Sequence, residues 1–157
     1  EAFPGVLADG RIDRAALGRR VFGDADALRR LEGLLHPAVR RDQRAFLARA
    51  ARRGCRLAVL DVPLLFETGL DRDCDAVAVV SAPPFVQAAR VLARPGMTRK
   101  RLAAILAEQM DDAEKRRYAD FVIPSGRGRR ETWRAVGRAA AAAAALRPAC
   151  WPWPDEP

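Results

Sequence analysis

Acidic and basic side chains suited to phosphate chemistry stand in two short stretches of the chain. In LAVLDVPLLFETG, one carboxylate, Asp61, interrupts an apolar run and a second, Glu67, follows it. In QAARVLARPGMT, Arg90 and Arg94 are four residues apart and share one face if the segment is helical. Carboxylates hold Mg²⁺, and guanidinium groups bind phosphate oxygens in pairs. These residues favour a function in binding or transferring phosphate groups.

Each of these residues also has an ordinary structural interpretation. A carboxylate after a strand can cap a helix or occupy a surface turn, and two helix arginines can face solvent. His36 is the only histidine and precedes Pro37. For this histidine, a structural role beside a helix start competes with a direct role in binding. Residue types alone leave both interpretations open.

The elements that must position these side chains alternate between strand-like and helical patterns. Short apolar runs at 57–61, 75–82 and 120–124 are typical of strands buried on both faces. Helix starts are predicted at capping residues and prolines: Asp13, Asp24, Pro37, Pro83 with Pro84, Thr98 and Asp111. Strands that alternate with helices indicate an α/β fold with a parallel sheet flanked by helices. Asp61 and Ser81 would then lie at the carboxyl ends of strands, where such sheets bind ligands.

Composition narrows the class of protein. The 157 residues have a net charge of +8, which attracts phosphates on nucleotides, nucleic acids or lipids, although a GC-rich genome would produce the same excess of arginine. Cys55, Cys74 and Cys150 form no zinc-binding spacing, and a reduced, cytoplasmic protein is expected. No apolar stretch approaches the ~20 residues that a membrane helix needs, so no membrane association is expected.

Several motifs together resemble the dephospho-CoA kinase family. They are HP at 36–37, DVPLLFETG at 61–69, QAARVLARPGMT at 87–98, Gln109 and AD.VI at 119–123, with DGRIDRAALGRRVF at 9–22 similar to the substrate-side helices. The resemblance extends to about residue 137. HP alone is a weak signal, but DVPLLFE together with the arginine-rich stretch is specific.

The resemblance implies a P-loop kinase of the nucleoside-monophosphate kinase type. Its core would span 1–146, with a helical substrate region at about 9–54 and a lid at about 86–112, before a Pro- and Trp-rich tail at 147–157. The implied reaction transfers the γ-phosphate of ATP, with Mg²⁺, to the 3′-hydroxyl of dephospho-CoA and gives coenzyme A and ADP. The implied partners are these two substrates, with no specific nucleic acid and no membrane. The oligomeric state is left open.

The resemblance also implies roles for particular residues. Three are expected to act on the transferred phosphate: Arg94, Arg90 and Asp61, the last through Mg²⁺ and its water. Four are expected on the acceptor side: His36, Arg40, Phe66 and Glu67. Two are expected at the ATP site: Arg94 and Gly126. Glu67 could equally pair with an arginine of the lid, and Ser125 stands where the family tends to carry an asparagine.

One motif of the family does not occur in these residues. No GxxxxGK[ST] sequence is present, and the only lysines, Lys100 and Lys115, lack the preceding glycines. We therefore expect a segment with this loop to precede Glu1 in the natural protein, and its strand to lie between the runs at 57–61 and 75–82. Because unpaired buried backbone groups cost about 1 to 3 kcal/mol each, the chain alone is expected to fold poorly or aggregate, and to be inactive.

Other functions stay open from the sequence. A related P-loop kinase could act on a different nucleoside or nucleotide, although DVPLLFE argues against it. A basic nucleic-acid-binding module would bind DNA or RNA with a steep salt dependence, but no aromatic residues interleave with the arginines. An inactive relative that lacks its phosphate loop is a further alternative.

Overall fold

The computed structural model describes residues 2–8, 10–21 and 24–151, and the chain divides into two units, residues 1–55 and 56–157. The first unit contains a short antiparallel hairpin followed by two helices. These elements are β1 (Leu7–Ala8), β2 (Arg11–Ile12), α1 (Arg14–Val21) and α2 (Ala25–Arg52). The hairpin was not expected from the sequence.

Two aspartates begin the helices of the first unit, as predicted. Asp13 accepts hydrogen bonds from the backbone N–H groups of Ala15 and Ala16, at 2.8 and 3.0 Å. Asp24 accepts hydrogen bonds from the backbone N–H groups of Asp26 and Ala27 in α2, at 3.0 and 2.9 Å. Each carboxylate satisfies donors that have no partner within their helix.

The predicted separate helix beginning at Pro37 is wrong. Helix α2 runs without interruption from Ala25 to Arg52 with Pro37 inside it. A proline removes one backbone hydrogen bond, and the surrounding helix-forming residues continue the helix on both sides of it. Gly54 lies just past the end with φ of 67°, the left-handed conformation that glycine adopts after a helix.

The second unit has the alternating α/β pattern that the sequence predicted. Its elements are a 3₁₀ helix (Leu70–Asp73), β3 (Ala78–Ser81), α3 (Pro84–Leu92), α4 (Arg99–Ala107), α5 (Asp112–Tyr118), β4 (Phe121–Pro124) and α6 (Arg129–Ala143). Strands β3 and β4 are parallel, with Val80 opposite Ile123. Helix α6 packs against β4, and Ile123, Ala135 and Ala139 form a small buried cluster. A parallel sheet flanked by helices is confirmed.

The predicted strand at 57–61 does not form among the described residues. Residues 57–62 belong to no helix, strand or turn, and Val59 is 72% exposed. The residue types suit a strand, but a strand also needs a neighbour for its backbone N–H and C=O groups. In the described part of the chain, β3 and β4 pair only with each other.

The other helix starts of the second unit agree with the sequence. Thr98 accepts a hydrogen bond from the N–H of Arg101 at 3.2 Å and begins α4. Asp111 accepts one from the N–H of Ala113 at 2.8 Å and begins α5. No described helix is both long and apolar enough to cross a bilayer. Residues 1, 9, 22–23 and 152–157, which include parts of the predicted substrate region and of the tail, lie outside the described residues.

Candidate functional site

The carboxyl ends of β3 and β4 are joined by a polar network. The carbonyl of Ser81 accepts hydrogen bonds from the N–H and the hydroxyl of Ser125, at 2.8 and 3.2 Å. The Ser81 hydroxyl, itself buried, donates to Asp112 at 2.7 Å. Gln87 donates to the same carboxylate at 3.1 Å and to the carbonyl of Ala82 at 2.7 Å. The network fixes the first turns of α3 and α5 at this edge of the sheet.

Arg90 binds the loop that follows β4. Its guanidinium group donates to the hydroxyl of Ser125 at 3.2 Å and to the carbonyl of Ser125 at 2.7 Å. Two of its five donors are therefore engaged by the protein, and the residue is exposed. Arg90 holds α3 against this loop, and its expected contact with a polyphosphate stays a prediction.

Gly126 lies where the same loop approaches the start of α3. A Cβ atom built on Gly126 would lie 2.7 Å from Cδ of Pro83, closer than such atoms approach in folded proteins. The loop therefore needs glycine at this position for steric reasons. Any contact of Gly126 with ATP would have to be made by its backbone.

A pocket of about 520 Å³ opens beside this loop. It is lined by Arg90, Ser125, Gly128, Arg129, Thr132, Trp133 and Val136. Trp133 is 69% exposed and presents its indole ring beside two arginines. A flat aromatic ring and two guanidinium groups form a surface suited to a ligand that carries both a planar ring and negative charge.

Arg94 lies in the exposed turn that follows α3. The turn is closed by hydrogen bonds from the N–H of Arg94 to Val91 and from the N–H of Met97 to Arg94, both at 3.1 Å. Arg101 donates to the carbonyl of Gly96 at 2.7 Å and supports the turn from α4. Within the described residues the Arg94 guanidinium has no partner. It is thus available to an anionic ligand.

Asp61 is exposed at the end of the irregular run at 57–61. Its carboxylate has no hydrogen-bond or ion-pair partner in the part of the chain that the structure describes. The described residues contain no group of three or more His, Cys, Asp or Glu side chains placed to hold a metal ion. A single carboxylate still suits Mg²⁺ that is coordinated mainly by phosphates and water.

Glu67 ties the turn after this run to α5. Its carboxylate accepts a hydrogen bond from the N–H of Met110 at 2.8 Å and pairs with Lys115 at 3.0 Å. Burial opposes the charged form, but hydrogen bonds from its own N–H, Lys115 and Met110 outweigh burial and lower the pKa of Glu67. The ion-pair partner is a lysine of α5, not an arginine of the lid. A contact between Glu67 and the acceptor stays a prediction.

The remaining acceptor-side residues fall into both units. In the second unit, the half-buried Phe66 packs against Tyr118 with ring centroids 6.0 Å apart and an interplanar angle of 47°. In the first unit, His36 is exposed and Arg40 is half-buried, one turn apart on α2. Since residues one turn apart share a helix face, the structure places His36 and Arg40 on one face of α2.

Sequence reasoning missed three side chains at the sheet edge. Gln87 and Asp112 organise the polar network, and Trp133 lines the pocket. Asp112 directly follows the capping residue of α5, so the sequence marks it as a helix-start acid but gives no sign of its partners. Trp133 was not singled out from the sequence.

Comparisons with known sequences agree with this architecture. A family model described as dephospho-CoA kinase matches residues 2–129. A dephospho-CoA kinase of Mesorhizobium japonicum is 61% identical over 127 residues, which cover 81% of this chain and 64% of that protein. One from Paramagnetospirillum magneticum is 65% identical over 115 residues, covering 73% of this chain and 54% of that protein. The chain therefore spans less than two thirds of the length of these curated relatives.

Solved structures give the same result for the fold. A crystal structure of a Thermus thermophilus protein matches with a TM-score of 0.71 and 35% identity, covering 90% of this chain and 72% of that one. A dephospho-CoA kinase from Campylobacter jejuni matches with a TM-score of 0.61 and 25% identity, covering 87% of this chain and 70% of that one. The P-loop kinase fold class is confirmed, and the chain belongs to the dephospho-CoA kinase family.

Proposed function

We propose that the natural gene product containing this chain transfers the γ-phosphate of ATP to the 3′-hydroxyl of dephospho-CoA, giving coenzyme A and ADP. The observation that carries the proposal is the family match over residues 2–129. The polar sheet edge and the free guanidinium of Arg94 support it. A cytoplasmic location stays a prediction.

Arg94 is the residue we assign to the transferred phosphate. Its exposed turn lies between α3 and α4, and its guanidinium is uncommitted within the described residues. Phosphoryl transfer gathers negative charge on the moving group, and a guanidinium stabilises that charge through paired hydrogen bonds. Arg90 would hold the β4–α6 loop in place and contribute its remaining donors.

The nucleotide base is assigned to the pocket beside that loop. Trp133 offers a ring face for stacking, and Gly128 contributes to the lining of the pocket. Gly126, two residues earlier in the same loop, is assigned to the ATP site through its backbone. Arg129 lies in the same lining and would meet negative charge on the ligand. ATP combines a planar base with a polyphosphate, which is the combination that this pocket suits.

Asp61 is assigned to the metal that accompanies ATP. The carboxylate would bind Mg²⁺ through water, and the phosphates would supply further ligands. When bound, Mg²⁺ neutralises charge on the transferring phosphates. Phe66, Glu67, His36 and Arg40 are assigned to the acceptor side, with Phe66 on the apolar parts of the substrate.

The test measures phosphate transfer by the natural gene product. The purified protein is incubated with Mg²⁺ and ATP plus dephospho-CoA, and in parallel with a panel of nucleosides and nucleotides. We expect ADP and coenzyme A to form in equal amounts, as measured by mass spectrometry. Transfer to another acceptor in preference would identify a different P-loop kinase, and transfer to none would contradict the proposal.

A pair of arginine variants tests the role of Arg94. Arg94→Ala should lower kcat by on the order of a hundredfold or more, since it removes a donor to the developing charge. Arg134→Ala is the matched control, because Arg134 is an exposed arginine of α6 outside the pocket lining. Equal losses in the two variants would show only a general effect of positive charge.

A further inference from the structure

Two of the three cysteines lie over the same turn of the second unit. The thiol of Cys74 donates to the carbonyl of Leu70 at 3.4 Å. The thiol of Cys150, near the end of the chain, donates to the carbonyl of Arg72 at 3.7 Å. Both carbonyl groups belong to the 3₁₀ helix Leu70–Asp73. Both sulfur atoms therefore contact the same turn of backbone, although the two cysteines are 76 residues apart in sequence.

The backbone next to Cys150 is also held beside Cys74. Asp75 accepts hydrogen bonds from the N–H of Ala149 at 2.5 Å and from the N–H of Cys150 at 2.9 Å. Because Asp75 directly follows Cys74, this carboxylate brings the main chain of the second cysteine to the first. The two cysteines are therefore held close by two kinds of contact: the thiol hydrogen bonds to the 3₁₀ helix and the two backbone hydrogen bonds to Asp75.

The electrostatic surroundings of the two thiols agree with this proximity. Burial, followed by the charges of Asp73 and Cys150, raises the pKa of Cys74. Burial, followed by the charges of Asp75 and Asp73, raises the pKa of Cys150. Both groups therefore stay protonated near neutral pH, and their reaction as thiolates should be slow there and faster in alkaline solution.

We propose that Cys74 and Cys150 form a reversible modification site, which closes to an intramolecular disulfide in the presence of a low-molecular-weight disulfide such as oxidised glutathione. One cysteine thiolate attacks the glutathione disulfide, forms a mixed disulfide and releases one glutathione. The second thiolate attacks the protein sulfur of the mixed disulfide and releases the other. Two protein thiols are oxidised, one glutathione disulfide is reduced to two glutathiones, and the two protons pass to them.

This disulfide would join the carboxyl-terminal tail to the segment that leads into β3. Cys150 lies beyond residues 2–129, which match the family model, so the inference does not rest on the proposed kinase activity. In a reducing compartment the pair is expected to remain as thiols and to close only under oxidation. The third cysteine, Cys55, is exposed in the first unit.

The experiment compares the folded and the unfolded natural gene product. Each is treated with oxidised glutathione at alkaline pH, alkylated and digested, and the linked peptides are identified by mass spectrometry. Cys74 is about four times farther along the chain from Cys150 than from Cys55. Random closure therefore favours Cys55 with Cys74 over Cys74 with Cys150 roughly eightfold.

We expect the folded protein to reverse this preference. It should lose about 2 Da as Cys74 joins Cys150, and a thiol reductant should restore the mass. In urea the link between Cys55 and Cys74 should predominate instead. The same pairing in both conditions, or mixed disulfides without a link, would overturn the proposal. A chain that fails to fold would give the urea pattern and so also counts against it.

Two aspartate variants separate geometry from charge. Asp75→Ala removes both backbone hydrogen bonds to the tail, so closure should slow several-fold even though losing a nearby negative charge favours the thiolate. Asp71→Ala is the matched control, because the side chain of Asp71 affects Cys74 through its charge, and the backbone carbonyl that accepts from the N–H of Cys74 is retained in the variant. Closure should become faster. If Asp75→Ala also accelerates closure, the anchoring of the tail is irrelevant and the proposal fails. Cys55→Ser should leave the rate unchanged.

Discussion

Two aliphatic stretches of the second unit, 57–61 and 120–124, have similar sequences and different structures. The later stretch forms β4, which pairs with β3 and is covered by α6, so that Ile123 is 7% exposed. The earlier stretch pairs with no described strand, and Val59 is 72% exposed. Since residue types are alike, the difference comes from the neighbours each stretch has. Strand formation here is decided by pairing, and propensity alone is not sufficient.

The same two stretches also differ in the role that we assign to them, which is structural for 120–124 and catalytic for 57–61. The covered stretch supplies Ile123 to the buried cluster with Ala135 and Ala139. The uncovered stretch ends in Asp61, whose carboxylate has no partner among the described residues. Substitutions in the covered region should therefore reduce stability, and substitutions at the uncovered edge should reduce activity.

The largest expected effect is the loss of activity in Asp61→Ala. In the natural gene product, kcat/KM for phosphate transfer should fall about a thousandfold, equivalent to about 4 kcal/mol, because the variant lacks the carboxylate that we assign to Mg²⁺. The melting temperature should not change, since the side chain is exposed and unpartnered in the described structure. Steady-state kinetics over a Mg²⁺ titration measure the effect. If Asp61→Ala left the activity and its Mg²⁺ dependence unchanged, the assignment of Asp61 to the metal would be wrong.

A matched pair of valine variants measures the difference in burial directly. Val77→Ala, at a residue 7% exposed, should lower the free energy of unfolding by about 2 kcal/mol. Val59→Ala, at a residue 72% exposed, should change it by less than about 0.5 kcal/mol in the 157-residue chain. Urea denaturation provides the values for the fraction of the chain that stays soluble, after a cooperative transition has been established for it, because we expect the 157-residue chain to fold poorly.

The same valine pair also tests whether a further strand pairs with 57–61 in the natural gene product. If one does, the cost of Val59→Ala there should rise towards that of Val77→Ala. If Val59→Ala and Val77→Ala cost the same free energy of unfolding already in the 157-residue chain, the run at 57–61 would be buried there. The contrast between an uncovered 57–61 and a covered 120–124 would then be wrong.

A smaller effect is expected at the loop after β4. Gly126→Ala should destabilise the protein by about 1 to 2 kcal/mol, because the added Cβ meets the rigid ring of Pro83. Gly137→Ala is the control: nothing lies within 4 Å of its Cβ position in α6, and alanine should stabilise that helix by about 0.5 to 1 kcal/mol. Thermal melts of both variants test the close approach. A neutral Gly126→Ala would show that the loop can move away from Pro83.

The smallest expected effect is the pH dependence due to Glu67. Its pKa is lowered in the folded state, so its contribution to stability is present above the ordinary value of 4.5 and is lost as the pH falls through the lowered pKa. Glu67→Gln should therefore be less stable than the parent by up to about 1 kcal/mol near pH 7, with the difference vanishing in acid. Denaturation curves from pH 3 to pH 7 measure it. A difference that persists at the acid end would assign the effect to packing.

Local signals explain how much could be predicted from the sequence. The helix starts at Asp13, Asp24, Thr98 and Asp111 were predicted because a capping side chain acts on N–H groups two or three residues away. Strands β3 and β4 were predicted because each is a short apolar run within a pattern that alternates with helices. The fold class followed from that alternation.

Contacts between distant residues could not be predicted in this way. Arg90 was expected to bind phosphate, and its partner Ser125 lies 35 residues away. Glu67 was given an acceptor role, whereas its described backbone partner, Met110, lies 43 residues away. The run at 57–61 carries the residue types of a strand, but its lack of a partner is a property of the whole chain. Residue types were sufficient to select the candidate site residues. Only the fold shows which of their side chains already have hydrogen-bond or ion-pair partners within the protein.

The most direct test is amide hydrogen exchange of the natural gene product, with and without Mg²⁺, a non-hydrolysable ATP analogue and dephospho-CoA. We predict slower exchange at 61–67, at the Arg94 turn and at 125–128 when the ligands are bound, and no change at 139–143, the end of α6 beyond the pocket lining. Protection that is absent from 61–67 and from the Arg94 turn would contradict the assignment of the chemistry to the uncovered edge of the sheet.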